Sequence, residues 1–201
     1  MGIYKDVVNI VNRNVFLTNL LLLPGIYYCI MGIVHIHNWE IEPSMALYVY
    51  LSSWYFMALL LIFVSLFSII YHGTMFSETK PKLQKLGKVD YLFTAPLLGI
   101  ILIVLSIIYL IFLDIKCPGT RYHINVFGVA TGYTIVGFIV FLLKKYFISG
   151  YSRRGFVKKI KYLLSHTFFH YIAYTGITLL ILTFFLDNRA IYNTFFIKRC
   201  K

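Results

Sequence analysis

The sequence predicts an all-α, multi-pass transmembrane helical bundle, and three observations carry that expectation. Of 201 residues, 60% are hydrophobic and only 13% are charged. The apolar residues fall in blocks of about 20 or more, the length that spans a hydrocarbon core of about 30 Å at about 1.5 Å per residue. Too little chain lies between the blocks for a soluble domain of about 50 residues. No internal repeat or low-complexity linker divides the chain, so residues 1–201 are expected to form a single bundle.

Five helices are expected. The first runs from about Val15 to Ile36, behind a start, Met1-Gly2-Ile3-Tyr4-Lys5-Asp6, that lacks the Ser or Thr of a myristoylation signal. No small-residue cleavage site follows, so this helix is read as permanent. The second spans about Met45 to His72 and closes with "SIIYHG". The third, Asp90 to Leu113, opens on an acid suited to an N-cap. The fourth, Ile124 to Leu143, carries Gly128, Gly132 and Gly137; the fifth, Tyr162 to Leu186, begins with "HTFFHY". Cys29, Cys117 and Cys200 are scattered singly and read as packing or idle thiols rather than a metal set.

The net charge of +12 invites a nucleic-acid reading, and the positions of the charges argue against it. Lys144, Lys145, Arg153, Arg154, Lys158, Lys159 and Lys161 crowd the connection between the last two helices, and four lysines fill the connection after the second. By the positive-inside rule both connections, 73–89 and 144–161, are cytoplasmic, and so is the N-terminus. The segment "HNWEIEP", with two acids and no base, belongs on the other side, as does the C-terminus, although the tail is basic. The basic connections are also suited to anionic lipid headgroups.

This topology brings three polar helix ends to one membrane face. Ser68 and His72 end the second helix, Asp90 starts the third, and His166 and His170 start the fifth. Residues four apart share one stripe of a helix, so each pair, Ser68/His72 and His166/His170, can face one cavity. Two imidazoles from one helix and a third from another form a three-nitrogen set, in which zinc keeps its fourth position open for water. Asp90 is placed to accept a proton and Ser68 to donate a hydrogen bond. Each residue also has a plainer reading: an interfacial histidine, a chance His-x3-His, an N-cap aspartate, and, for Ser65 and Ser106, back-bonding to a carbonyl one turn earlier. The functional reading rests on their conjunction at one depth.

In this order, Ser68-x3-His72, Asp90 and His166-x3-His170 resemble the CREST superfamily, which includes alkaline ceramidases, the progestin and adipoQ receptors, hemolysin III relatives and lipid-remodelling proteins. The resemblance implies zinc held by His72, His166 and His170, with Ser68 and Asp90 around a water. The 18-residue step from His72 to Asp90 and the wording "KVDYLF" look closer to the adipoQ receptor and TMEM8-type branches than to ceramidases. The family usually has seven helices where five are counted here, so part of the lipid cavity's wall is missing, and a homo-oligomer is one way to rebuild it. Gly128-x3-Gly132 offers a surface for helix contact, within the bundle or between chains.

His35, His37 and His123 fall on the far face, where a second metal site with Cys117 is not expected, and a haem is not expected in so peripheral a set. Two functions follow for the histidine set. The first is a zinc-dependent integral-membrane hydrolase acting on a lipid amide or ester bond at the cytoplasmic face. The second is a non-enzymatic receptor-like or regulatory membrane protein in which zinc is structural. A bundle with no metal is the third possibility.

Overall fold

In the computed structural model, the described residues are 10, 13–14, 16–40, 42–74, 123–149 and 156–188, and among them all regular structure is helical. A 3-10 turn, Asn19–Leu22, leads into α1 (Leu23–His37); α2 spans Met45–Thr74, α3 Ile124–Ser149 and α4 Phe156–Leu186. These correspond to four of the five expected helices; the remaining one, 90–113, lies outside the described residues. Three stretches, Phe16–His37, Leu47–Ile70 and His166–Leu186, are long and apolar enough to cross a membrane, while the apolar part of α3, Asn125–Val140, is shorter. Large side chains such as Phe56, Phe63, Phe138 and Ile139 are exposed on the outside. Apolar surface on all sides is what a lipid-facing helix presents.

Two boundaries differ from the sequence reading, each for a local reason. The first helix is not continuous from Val15. Pro24 has no N–H for the carbonyl of Leu20, and its ring crowds that carbonyl. The chain tightens to a 3-10 turn in which the Leu23 N–H reaches Leu20 O instead. The second difference concerns the basic connection 144–161. Helix α3 continues through Lys144 and Lys145 to Ser149, and α4 starts early enough to include Lys158, Lys159 and Lys161. Lysine is a good helix former, so the helices extend toward Gly150 and Gly155, and those charges stand on helical extensions rather than in a loop.

How the numbers of contacting residues change together fixes the packing directions: both rise in a parallel pair, and one rises as the other falls in an antiparallel pair. Thr178 Oγ1 donates to Leu21 O at 2.6 Å, and Tyr28 packs on Phe185 with ring centroids 5.5 Å apart, so α1 and α4 run parallel. Tyr50 meets Asn188 and Ser68 meets Tyr174, so α2 is antiparallel to α4. His123 meets Asp187, Thr134 lies against Gly176, and Gly137 against Ala173, so α3 is antiparallel to α4 as well.

Small residues set the approach distances. A Cβ on Gly176 would stand 3.0 Å from the Thr134 backbone nitrogen, and one on Gly137 3.3 Å from the Ala173 Cα. On the other side of the bundle, a Cβ on Gly32 would fall 2.7 Å from the ring of Trp54, a fully buried side chain. In lipid, tails are as apolar as leucine, so close van der Waals contact of this kind, rather than apolar burial, drives helix association. Leu61, Val64, Ile177 and Leu180 fill the space between, and Cys29 is buried as a packing residue.

Candidate functional site at the histidine end

The antiparallel pairing of α2 with α4 brings the end of one helix to the start of the other, so Ser68 and the His166/His170 pair share one end of the bundle. Ser68 is fully buried, His170 is buried, and His166 is half-buried. The His166 and His170 rings stand 4.6 Å apart at 77°, on one stripe of α4 as the four-residue spacing requires. The stripe continues one turn further to Tyr174, whose ring meets that of His170 edge to face at 4.9 Å. Tyr174 Oη donates to Ser68 Oγ across the helix interface at 3.4 Å. Tyr174 is thus part of the site that the sequence reading missed. Its signal was its position, four residues beyond His170 in an otherwise apolar run.

The remaining members of the expected set are placed only in part. His72 belongs to α2, one turn beyond Ser68, but its side chain lies outside the described residues, and Asp90 lies outside them altogether. Among the described residues, no three His, Cys, Asp or Glu side chains come together as metal ligands. The chemistry of the donors present, two imidazoles one turn apart on α4, is of the kind zinc takes.

Ser65 departs from its expected role. Thr134 and Thr183 bond back to the carbonyls of Ala130 and Leu179, each four residues earlier. The Ser65 hydroxyl, buried one turn before Ser68, makes no hydrogen bond among the described residues. The back-bonding reading is therefore wrong for Ser65, while Ser106 lies outside the described residues. A buried hydroxyl with no partner costs about 1–3 kcal/mol relative to a satisfied one.

The opposite end holds a second polar group that the sequence reading passed over. His123 Nδ1 lies 2.8 Å from Asp187 Oδ1, and the His123 backbone N–H donates to the same carboxylate at 3.2 Å. Asp187 follows the last turn of α4, where the helix dipole disfavours an anion, and His123 precedes the first turn of α3, where the dipole favours one. The carboxylate thus caps α3 from a neighbouring helix. Tyr50 Oη donates to Asn188 Oδ1 at 2.8 Å, and Trp39 stacks on Tyr50 at 5.9 Å and 9°. The other far-face histidines have separate partners: His37 Nε2 is 3.1 Å from Tyr55 Oη, and His35 meets the edge of Trp39. Cys117 lies outside the described residues.

Gly128 and Gly132 do not contribute to packing among the described helices. Nothing stands within 4 Å of a Cβ built on either one, whereas Gly137 is closely packed. Comparison of the chain with family models, with curated proteins and with solved structures finds no match.

Proposed function

We propose that the protein is a zinc-dependent integral-membrane hydrolase acting on a lipid amide or ester bond. The observation that carries this reading is the meeting of Ser68 with the His166/His170 pair at one end of the bundle, through Tyr174. The CREST-like order of Ser68, His72, Asp90, His166 and His170 supports it independently. In this reading His72 completes a three-histidine set with the pair on α4. The chain crosses the membrane five times with its N-terminus in the cytoplasm, and the histidine end faces the cytoplasmic leaflet, from which a lipid enters sideways.

His72, His166 and His170 would hold the zinc, which would supply Lewis acidity toward a carbonyl and lower the pKa of water. Asp90 takes the proton from the attacking water and passes it to the leaving amine or alkoxide as the C–N or C–O bond breaks. Ser68 accepts a hydrogen bond from Tyr174, which leaves its own proton to be donated to the carbonyl oxygen as negative charge develops.

The test begins with metal content. Zinc is measured by mass spectrometry in detergent-purified wild type and in a His166→Ala, His170→Ala double variant after dialysis against a weak chelator. About one zinc per wild-type chain, lost in the variant, is expected; well-folded wild type without metal would overturn the reading. Lipid amide and ester hydrolysis by wild type, abolished by Asp90→Asn, separates the hydrolase from a receptor-like protein with a structural zinc.

A further inference from the structure

The interface of α3 with α4 keeps one register over its described contacts. His123 stands opposite Asp187, Thr134 opposite Gly176 and Gly137 opposite Ala173, so each step forward on α3 is matched by one step back on α4. Both helices continue past these pairs, α3 to Ser149 and α4 back to Phe156. Seven residues make about two helical turns and return to the same stripe. Position 144, two turns beyond Gly137, therefore lies on the face of α3 that meets α4, level with His166, which stands two turns before Ala173. Position 159 lies two turns further out on the His166 stripe of α4. Lysine occupies both, one level with the half-buried His166 and one about 10 Å outward of it.

Orientation in a membrane asks only that cations lie near helix ends on one side, whatever their stripe. Lysines in two-turn step with Gly137 and with His166 meet a narrower requirement. Neither α3 nor α4 carries an acid, so the like charges of the two helices have no counter-charge within the pair, a repulsion that an anion between them removes. The segment before the 3-10 turn lies at the same end, because α1 runs parallel to α4, and Arg13 is exposed there. Depth selects the source of the anion. The headgroup layer is about 5–7 Å thick on each side of the hydrocarbon core. A lipid whose acyl carbonyl reaches the level of His166, at the edge of that core, carries its phosphate outward of His166 and inward of position 159, a span that a lysine stem covers. We infer that the juxtaposition of Lys144 with the His166 stripe and Lys159 forms a binding site for the phosphate of an anionic lipid at the mouth of the histidine end. Resting on the hydrolase reading, this names the substrate class as a phosphate-bearing lipid.

The test reads binding and so does not depend on turnover. The full chain in a neutral polyoxyethylene detergent is offered phosphatidylglycerol and phosphatidylcholine of the same acyl chains, and retention is read by native mass spectrometry. A preference of about tenfold for phosphatidylglycerol is expected; equal retention overturns the proposal. A Lys144→Gln, Lys159→Gln double variant, whose glutamines suit a helix as well as lysine does, should lose the preference. A Lys80→Gln, Lys82→Gln variant removes as much charge elsewhere in the chain and should keep it. An equal fall in both variants, or a preference kept by the first, overturns the assignment to these two positions. Should the first variant not fold, Lys159→Gln alone should lower the preference about threefold, and no change overturns the assignment. Inorganic phosphate, at an ionic strength matched with chloride, separates the sources: displacement of phosphatidylglycerol assigns the site to free phosphate and overturns the lipid, and no displacement upholds it. Zinc content of the same samples keeps the two readings apart. A preference in protein that holds no zinc overturns the hydrolase and leaves the phosphate site standing, whereas zinc-loaded protein without the preference overturns the site alone.

Discussion

At the Asp187 end, two hydrogen bonds of 2.8 Å tie α2, the start of α3 and the end of α4 together, whereas at the histidine end the Tyr174–Ser68 contact is 3.4 Å and the rings meet edge to face along one helix. The first arrangement answers a structural need: a helix N-terminus with unmet N–H groups and a buried carboxylate satisfy each other. The second is looser: Ser68 and His170 are buried there beside Ser65, whose hydroxyl makes no hydrogen bond among the described residues. Long polar contacts that shorten only when substrate is present are common in enzymes without ligand. The contrast is between a tightly bonded end and a loosely bonded one, and the hydrolase proposed above would place its chemistry at the second.

The largest effect that bears on this contrast is expected from Gly32→Val, which drives a branched side chain into the Trp54 ring near the fastened end. Overpacking of a site that cannot yield costs about 3 kcal/mol, read as a fall in Tm in detergent; an unchanged Tm would show that Trp54 moves and that the fastened end is soft. Asp187→Ala comes next. It removes the α3 cap and a charge-assisted hydrogen bond, an expected loss of about 2 kcal/mol. Hydrogen exchange should then rise first in the opening turn of α3, and exchange unchanged there would remove the capping role.

At the histidine end, Tyr174→Phe should cost only about 0.5 kcal/mol, because the hydroxyl contact it deletes is long. A loss as large as that of Asp187→Ala would show that the two ends are fastened alike and would break the comparison. The smallest effect is expected from Gly128→Ala, which should leave Tm unchanged since nothing described lies near that position. Cross-linking of the same variant in membranes reads whether the open glycine face seats a second copy: a reduced dimer band assigns it to self-association, and an unchanged band does not.

The helices were legible because their signal is local. Apolar runs of spanning length and the four-residue steps Ser68/His72 and His166/His170 depend only on helical rise and period. Local chemistry also explains where that reading slipped. Pro24 breaks the α-helical ladder inside an otherwise apolar run, and the lysines after Leu143 continue a helix that charge alone suggested had ended. Ser65 was assigned the commonest fate of a membrane serine, which its hydroxyl does not follow. Asp187 was overlooked because its partner His123 lies 64 residues away, before the start of another helix.

By itself, then, the sequence determined an all-helical chain with membrane-spanning apolar stretches, and it nominated Ser68, His166 and His170 as residues of one face. Only the tertiary structure decided that Tyr174 joins them, that Gly137 and Gly176 rather than Gly128 and Gly132 close the α3–α4 interface, and that His123 belongs with Asp187. The physical reason is range. Period and length act within about one turn of helix, but a partner 64 residues away is fixed by the register of two antiparallel helices, and that register is set by which small residues allow the backbones to touch.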